Sequence, residues 1–227
     1  MKFYTLVGLA IISALGTLFS SAPFGFSFAA IIAISSLVYI ACHAEYNIEN
    51  WIVFACQVPL WLWLEHWVID VSVGGWIGLS LYMSIWAPLF VMLLRRVVRT
   101  PRFSGLSVVL SAPILWVGLE CLRGIVIFDG YPWFLAGTGL VDTVQAQMAA
   151  IGGVWLVSFA VVSWSAALAH VRHLQKRTFY IVGGTVLVSS LYGAYIPKGP
   201  IPIRLPMGLV QTNVPQSNKI KWSKEQQ

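Results

Sequence analysis

The sequence predicts an all-helical, multi-pass membrane protein of about seven transmembrane helices, followed by a short water-soluble tail. Three observations predict it. Only 10% of the 227 residues are charged while 58% are hydrophobic, against roughly 25% charged in soluble domains. Charge this sparse cannot cover a water-facing surface, so most of the chain must face lipid. Second, apolar stretches of near-span length follow one another along the chain. Third, the composition changes abruptly after Ile196, to short strand-like residues and then Asn, Pro, Ser and Lys.

A hydrocarbon core of about 30 Å needs roughly 20 apolar residues per helix. Residues 3–20, 25–42, 51–69, 76–94, 106–124, 146–169 and 179–196 meet that need. Helices are the default, because an open sheet leaves backbone groups unsatisfied in lipid. Met1-Lys2 and the apolar run to Phe19 look like a secretory signal, but further spans follow at once, so a retained first span is expected. Ala22-Pro23-Phe24-Gly25 is a tight turn, 43–50 carries Glu45 and Glu49, and 70–75 ends in paired glycines. Residues 95–102 are strongly basic, 125–145 form a longer loop with Asp129 and Asp142, and 170–177 are basic again. No internal repeat, low-complexity run or heptad pattern is present.

The net charge is +6. Its basic residues sit in short clusters between apolar runs, the pattern that orients membrane proteins and not one that binds nucleic acid. With Lys2 inside, eight of the nine basic residues up to Ile196 lie on the cytoplasmic side; Arg123 is the exception. Seven spans then place the tail outside. The tail's own Lys198, Arg204, Lys219, Lys221 and Lys224 argue against this unless it opens a larger exported domain, and that is the expectation adopted.

Ionisable residues inside spans are costly and are functional candidates by default. Glu65 and His66 fall near the outer end of the third span, and Glu120 and Arg123 near the outer end of the fifth. Three apart on a helix, Glu120 and Arg123 share a face and are expected to pair, either structurally or around a substrate. Gly130-Tyr131-Pro132-Trp133 follows, a rigid turn expected to lay two aromatic rings at headgroup depth. Trp61, Trp63 and Trp67 either line a lipid-facing groove or simply pack. Gly152-Gly153 is expected to allow close helix packing. Cys42, Cys56 and Cys121 have no CxxC spacing and read as small buried hydrophobes. No metal or cofactor is expected.

In order, Glu120-Cys-Leu-Arg123-Gly124, Gly130-Tyr-Pro-Trp133, Gly152-Gly-Val-Trp-Leu-Val-Ser-Phe159 and Leu209-Val-Gln211-Thr-Asn213-Val-Pro-Gln216 with Lys221-Trp222 resemble the apolipoprotein N-acyltransferase family. The early Phe19-Ser-Ser-Ala-Pro-Phe24-Gly-Phe resembles that family's first turn, so the resemblance covers essentially the whole chain. It implies a bacterial inner-membrane protein, N-terminus cytoplasmic and tail periplasmic, whose helices carry a periplasmic nitrilase-like α/β domain. It implies a phospholipid acyl donor, an apolipoprotein acceptor and a Glu-Lys-Cys triad. The thiolate takes an acyl chain as a thioester and passes it to the α-amino group of an N-terminal diacylglyceryl-cysteine.

Carried over by position, residues 1–196 are the transmembrane domain and 197–227 the start of the nitrilase-like domain. Its first strand is Gly208 to Gln211. Gly130 and Trp133 match a loop that matters in the family, and Trp222 an aromatic beside the substrate entrance, in a segment a residue or two longer than usual. Glu225 falls too early to be the triad Glu, and none of the three cysteines lies in the right region. The resemblance therefore implies a chain truncated before its triad and inactive alone, a separate chain being one source of the rest. The alternative is a non-catalytic membrane scaffold for a soluble partner such as a polyprenol-phosphate mannosyltransferase. A small transporter fits less well, since the polar residues cluster near the outer span ends.

Overall fold

In this computed structural model, residues 1–100, 108–170, 176–196 and 208–210 are described. The first helix, α1 (Phe3–Ser20), is followed by α2 (Ala29–His43) and α3 (Ile48–Leu64). Then come α4 (Val73–Ser84), α5 (Trp86–Arg99), α6 (Val108–Cys121), α7 (Ala149–Ala169) and α8 (Lys176–Tyr195). The protein is therefore all-helical and multi-pass over its described residues.

Among the described residues, four stretches are long and apolar enough to cross a membrane: Phe3–Ser20, Val73–Arg99, Val108–Asp129 and Val144–Ala169. They account for four of the seven expected spans. α2 and α3 are apolar but shorter, at 15 and 17 residues. The turn around Gly25 delays α2 to Ala29, and α3 stops at Leu64, where Glu65 opens a 3-10 turn (His66–Asp70).

The span expected over 76–94 is two helices meeting at Ile85. Pro88 has no N–H for the Ser84 carbonyl, and its ring crowds that oxygen, so the helix breaks one turn earlier. Gly74 and Gly75, expected in a loop, belong to the first turn of α4, where the Ser72 hydroxyl caps the Gly75 N–H at 3.1 Å. α3 ends with free carbonyls. Trp76 Nε1 donates to the Leu62 carbonyl at 2.9 Å, and the Ser80 hydroxyl lies 3.2 Å from that of Trp61, so α4 is pinned to α3.

α2 is the central helix, packed on α1, α5 and α7. Its Val38 and Ile40 meet Phe90, Val91 and Leu94 of α5 and Val161 and Val162 of α7 in one buried cluster. Where α2 meets α7, the Ser35 hydroxyl lies between the Ile31 carbonyl of its own helix at 2.6 Å and the Ser165 carbonyl of α7 at 3.0 Å. A polar contact of this kind adds to close packing where lipid supplies no hydrophobic drive.

The basic end of α5 is a latch. Arg95 donates to the Tyr46 carbonyl at 2.8 Å and to Asn47 and Asn50 Oδ1 at 3.1 and 3.3 Å, with Glu49 at 3.7 Å. Arg99 reaches the carbonyls of Ala44 and Glu45. Two guanidinium groups thereby satisfy the turn between α2 and α3.

One further expectation needs correcting. Gly152-Gly153, expected to allow close helix packing, leave the helical range, with Gly153 at φ +64°, so they break α7 near its start. Of the expected nitrilase-like strand, Gly208 to Val210 are described and exposed, with no β-sheet among the described residues, while Gln211 and the residues after it lie outside the described residues.

Candidate functional site

The candidate site is built where α6 gives way to the loop of residues 125–145. After Cys121 the chain enters a π-helical turn, Leu122–Val126. Such wide turns are rare and frequently mark functional sites. Here the turn carries Arg123 inward, where it is buried. Its guanidinium donates to the Trp133 carbonyl at 2.8 Å and lies 3.4 Å from the carbonyls of Tyr131 and Phe134. The Tyr131 N–H in turn donates to the Arg123 carbonyl at 2.8 Å. The loop is thus wrapped around one buried cation.

Glu120 and Arg123 do not form the expected direct pair. Glu120 Oε1 accepts from Trp116 Nε1 at 2.8 Å and from the Ala136 N–H at 2.6 Å. Each charge holds a different part of the loop: Arg123 takes 131–134 and Glu120 takes Ala136. The adjacent Gly137 N–H donates to the Ser158 hydroxyl of α7 at 2.9 Å, which ties the loop to a third point.

Tyr131 was expected to lie on the surface beside Trp133. It turns inward instead, and its hydroxyl lies 2.9 Å from both oxygens of Glu65, which is 0% exposed at the end of α3. Burial and the neighbouring Glu65 carboxylate push the Tyr131 hydroxyl well above the ordinary phenol range. The surface aromatics are Trp133, 64% exposed, and Phe128, with Ile125 and Val126 beside them. Of the three tryptophans in question, Trp61 packs inside while Trp63 and Trp67 are exposed.

The loop is conformationally demanding. Phe128, Asp129 and Gly130 have φ of 54°, 60° and 92°, and Phe134 has 56°. Non-glycine residues in that region carry strain and persist only where the surroundings hold them. Gly130 is obligatory: a Cβ there would lie 2.3 Å from the Gly124 carbonyl oxygen.

Beneath this knot lies a cavity of about 80 Å³, lined by residues of α1 to α6 and by Arg123 and Phe134. The lining is mostly apolar, but Trp61 Nε1 and Trp86 Nε1 are buried at its wall with no hydrogen-bond partner among the described residues. By volume the cavity has room for ordered water beside them. Among the described residues, no group of three His, Cys, Asp or Glu side chains gathers to hold a metal ion.

Of the expected site residues, Glu120, Arg123, Gly130 and Trp133 therefore come together in one loop anchor, while Trp222 lies outside the described residues. Glu65 stood out in the sequence as an ionisable residue near a span end, but its partner Tyr131 did not. Ser158 carried no signal beyond its place in the Gly152-to-Phe159 motif.

This is a multi-pass helical membrane protein with a rigid, internally anchored loop that presents aromatic residues at one end of the bundle. Residues 13–167 match the apolipoprotein N-acyltransferase N-terminal domain, and the chain belongs to that family. It is similar to the apolipoprotein N-acyltransferase of Vibrio parahaemolyticus, 31% identical over 187 residues, which covers 76% of this chain and 36% of that protein. It is also similar to the enzyme of Pasteurella multocida, 26% identical over 96% of this chain and 44% of that protein. That of Azotobacter vinelandii is 32% identical over 123 residues, 52% of this chain and 23% of that protein. The chain thus spans less than half the length of these relatives.

Proposed function

We propose that these residues form the membrane platform of an apolipoprotein N-acyltransferase of lipoprotein maturation, in the bacterial inner membrane. α2, α3 and α8 cross the membrane along with the longer spans. The N-terminus is cytoplasmic, and the 125–145 loop and residues 197–227 are periplasmic. Residues 197–227 open the nitrilase-like domain. Its Glu-Lys-Cys triad performs the chemistry: the thiolate attacks a phospholipid ester, the lysophospholipid leaves, and the thioester is then attacked by the amine of the apolipoprotein's diacylglyceryl-cysteine.

The observation that carries this reading is the loop anchor. Arg123 holds residues 131–134 and Glu120 holds Ala136, so that Trp133 projects from the end of the bundle. Both proposed substrates are lipids, so a rigid aromatic shelf at the membrane surface suits them.

The test is complementation in a strain depleted of its own enzyme. A chimera joining residues 1–196 to the nitrilase-like domain of the Vibrio parahaemolyticus relative is expected to rescue growth, and Trp133→Ala in that chimera to lose most of the activity. Failure of the chimera to rescue, or a fully active Trp133→Ala chimera, overturns the reading.

A further inference from the structure

The break at Ile85 has a second result, at the other end of the bundle from Trp133. It helps shape an open groove of about 680 Å³ between α3 and the α4–α5 pair. Phe54, Leu81, Ile85, Leu89 and Met92 give it an apolar length, and Trp51 and Arg96 lie at one end. Arg95 and Arg99 are committed to the α2–α3 turn. Arg96 is exposed, and no protein partner is found for it among the described residues. Trp51 is likewise exposed, its ring edge-on to Phe54 at 6.0 Å.

We propose that this groove is a binding site for one anionic phospholipid, drawn from the leaflet on the Arg95–Arg99 side. The polarity runs the right way for an amphiphile: a guanidinium and an indole N–H at the membrane edge, then an apolar run toward the bilayer centre. The phosphate sits on Arg96, whose planar donors suit phosphate oxygens. One acyl chain lies along Ile85 and Leu89. Basic pockets beside membrane helices recognise anionic headgroups in this way. The site is remote from the 125–145 loop, so its occupant is a bound lipid and not the acyl donor of the proposed reaction.

The test is native mass spectrometry of the full chain in detergent with added phosphatidylglycerol, phosphatidylcholine or diacylglycerol. The chain is expected to retain one phosphatidylglycerol, about tenfold more than phosphatidylcholine and with little diacylglycerol. Arg96→Gln is expected to cut phosphatidylglycerol retention about tenfold. Ile85→Trp, which fills the groove, is expected to abolish it with Arg96 intact. Lys2→Gln, which removes a charge elsewhere, is expected to leave it unchanged, as is excess inorganic phosphate. Equal retention of the three lipids, undiminished retention in Arg96→Gln or Ile85→Trp, or an equal loss in Lys2→Gln each overturns the proposal.

Discussion

Replacing Arg123 by Met keeps much of the side-chain volume and removes the cation from the loop anchor. The bond to the Trp133 carbonyl, at 2.8 Å, is the strong one; those to Tyr131 and Phe134, at 3.4 Å, are marginal. A charge-assisted bond of this kind contributes about 1.5–3 kcal/mol. Its loss also leaves the Glu65 and Glu120 carboxylates without their nearby cation. A total of about 3 kcal/mol follows, at the lower end for breaking a buried ionic contact. That corresponds to roughly a hundredfold larger population of the open loop, at about 1.4 kcal/mol per factor of ten. Hydrogen exchange at the Tyr131 amide reads this directly, because that N–H is bonded to the Arg123 carbonyl. Exchange is expected to rise by about two orders of magnitude in Arg123→Met, while amides in the middle of α2 stay protected. A rate at Tyr131 within threefold of the native chain would show that the cation does not hold the loop, and the anchor argument would fail.

Gly130→Ala places a Cβ against the Gly124 carbonyl at a positive φ, for a cost of about 2 kcal/mol or more; faster proteolysis between residues 125 and 135 measures it. Arg95→Met strands Glu49 and the Asn47 and Asn50 carbonyls, so about 3 kcal/mol of stability is lost. Adding Glu49→Gln is expected to restore part of the thermal midpoint, as coupled neighbours do. Tyr131 gives a pH signature. Its folded pKa is raised, so its contribution is complete below the unfolded value near 10 and declines as pH rises beyond it toward the folded value. Tyr131→Phe is expected to be less stable at pH 8 and to have a shallower decline above pH 10 in an alkaline unfolding series.

The helical class was readable because charge is scarce and the apolar runs are separated by clear turn residues. The ends were less readable, since they depend on local events: Pro88 splits one run, and Glu65 stops another. Glu120 and Arg123 both serve the loop anchor, but the expected direct pair does not form. The three-residue spacing implies a shared face only on an α-helix, and the π-helical turn after Cys121 swings Arg123 away. The Glu65–Tyr131 contact joins residues 66 apart, and nothing local to either reveals it. The Arg95 latch leaves a trace in the sequence: Asn47, Glu49 and Asn50 cluster in an otherwise apolar chain, as a buried guanidinium requires.

The glycine break in α7 divides that helix into unequal parts. Residues 149–151 continue from the outer loop, whereas Val157 to Ala167 are locked into the core against α2. Gly152 and Gly153 therefore redirect the chain, so the course by which it arrives from the outer loop does not dictate the axis along which Val157 to Ala167 pack against α2.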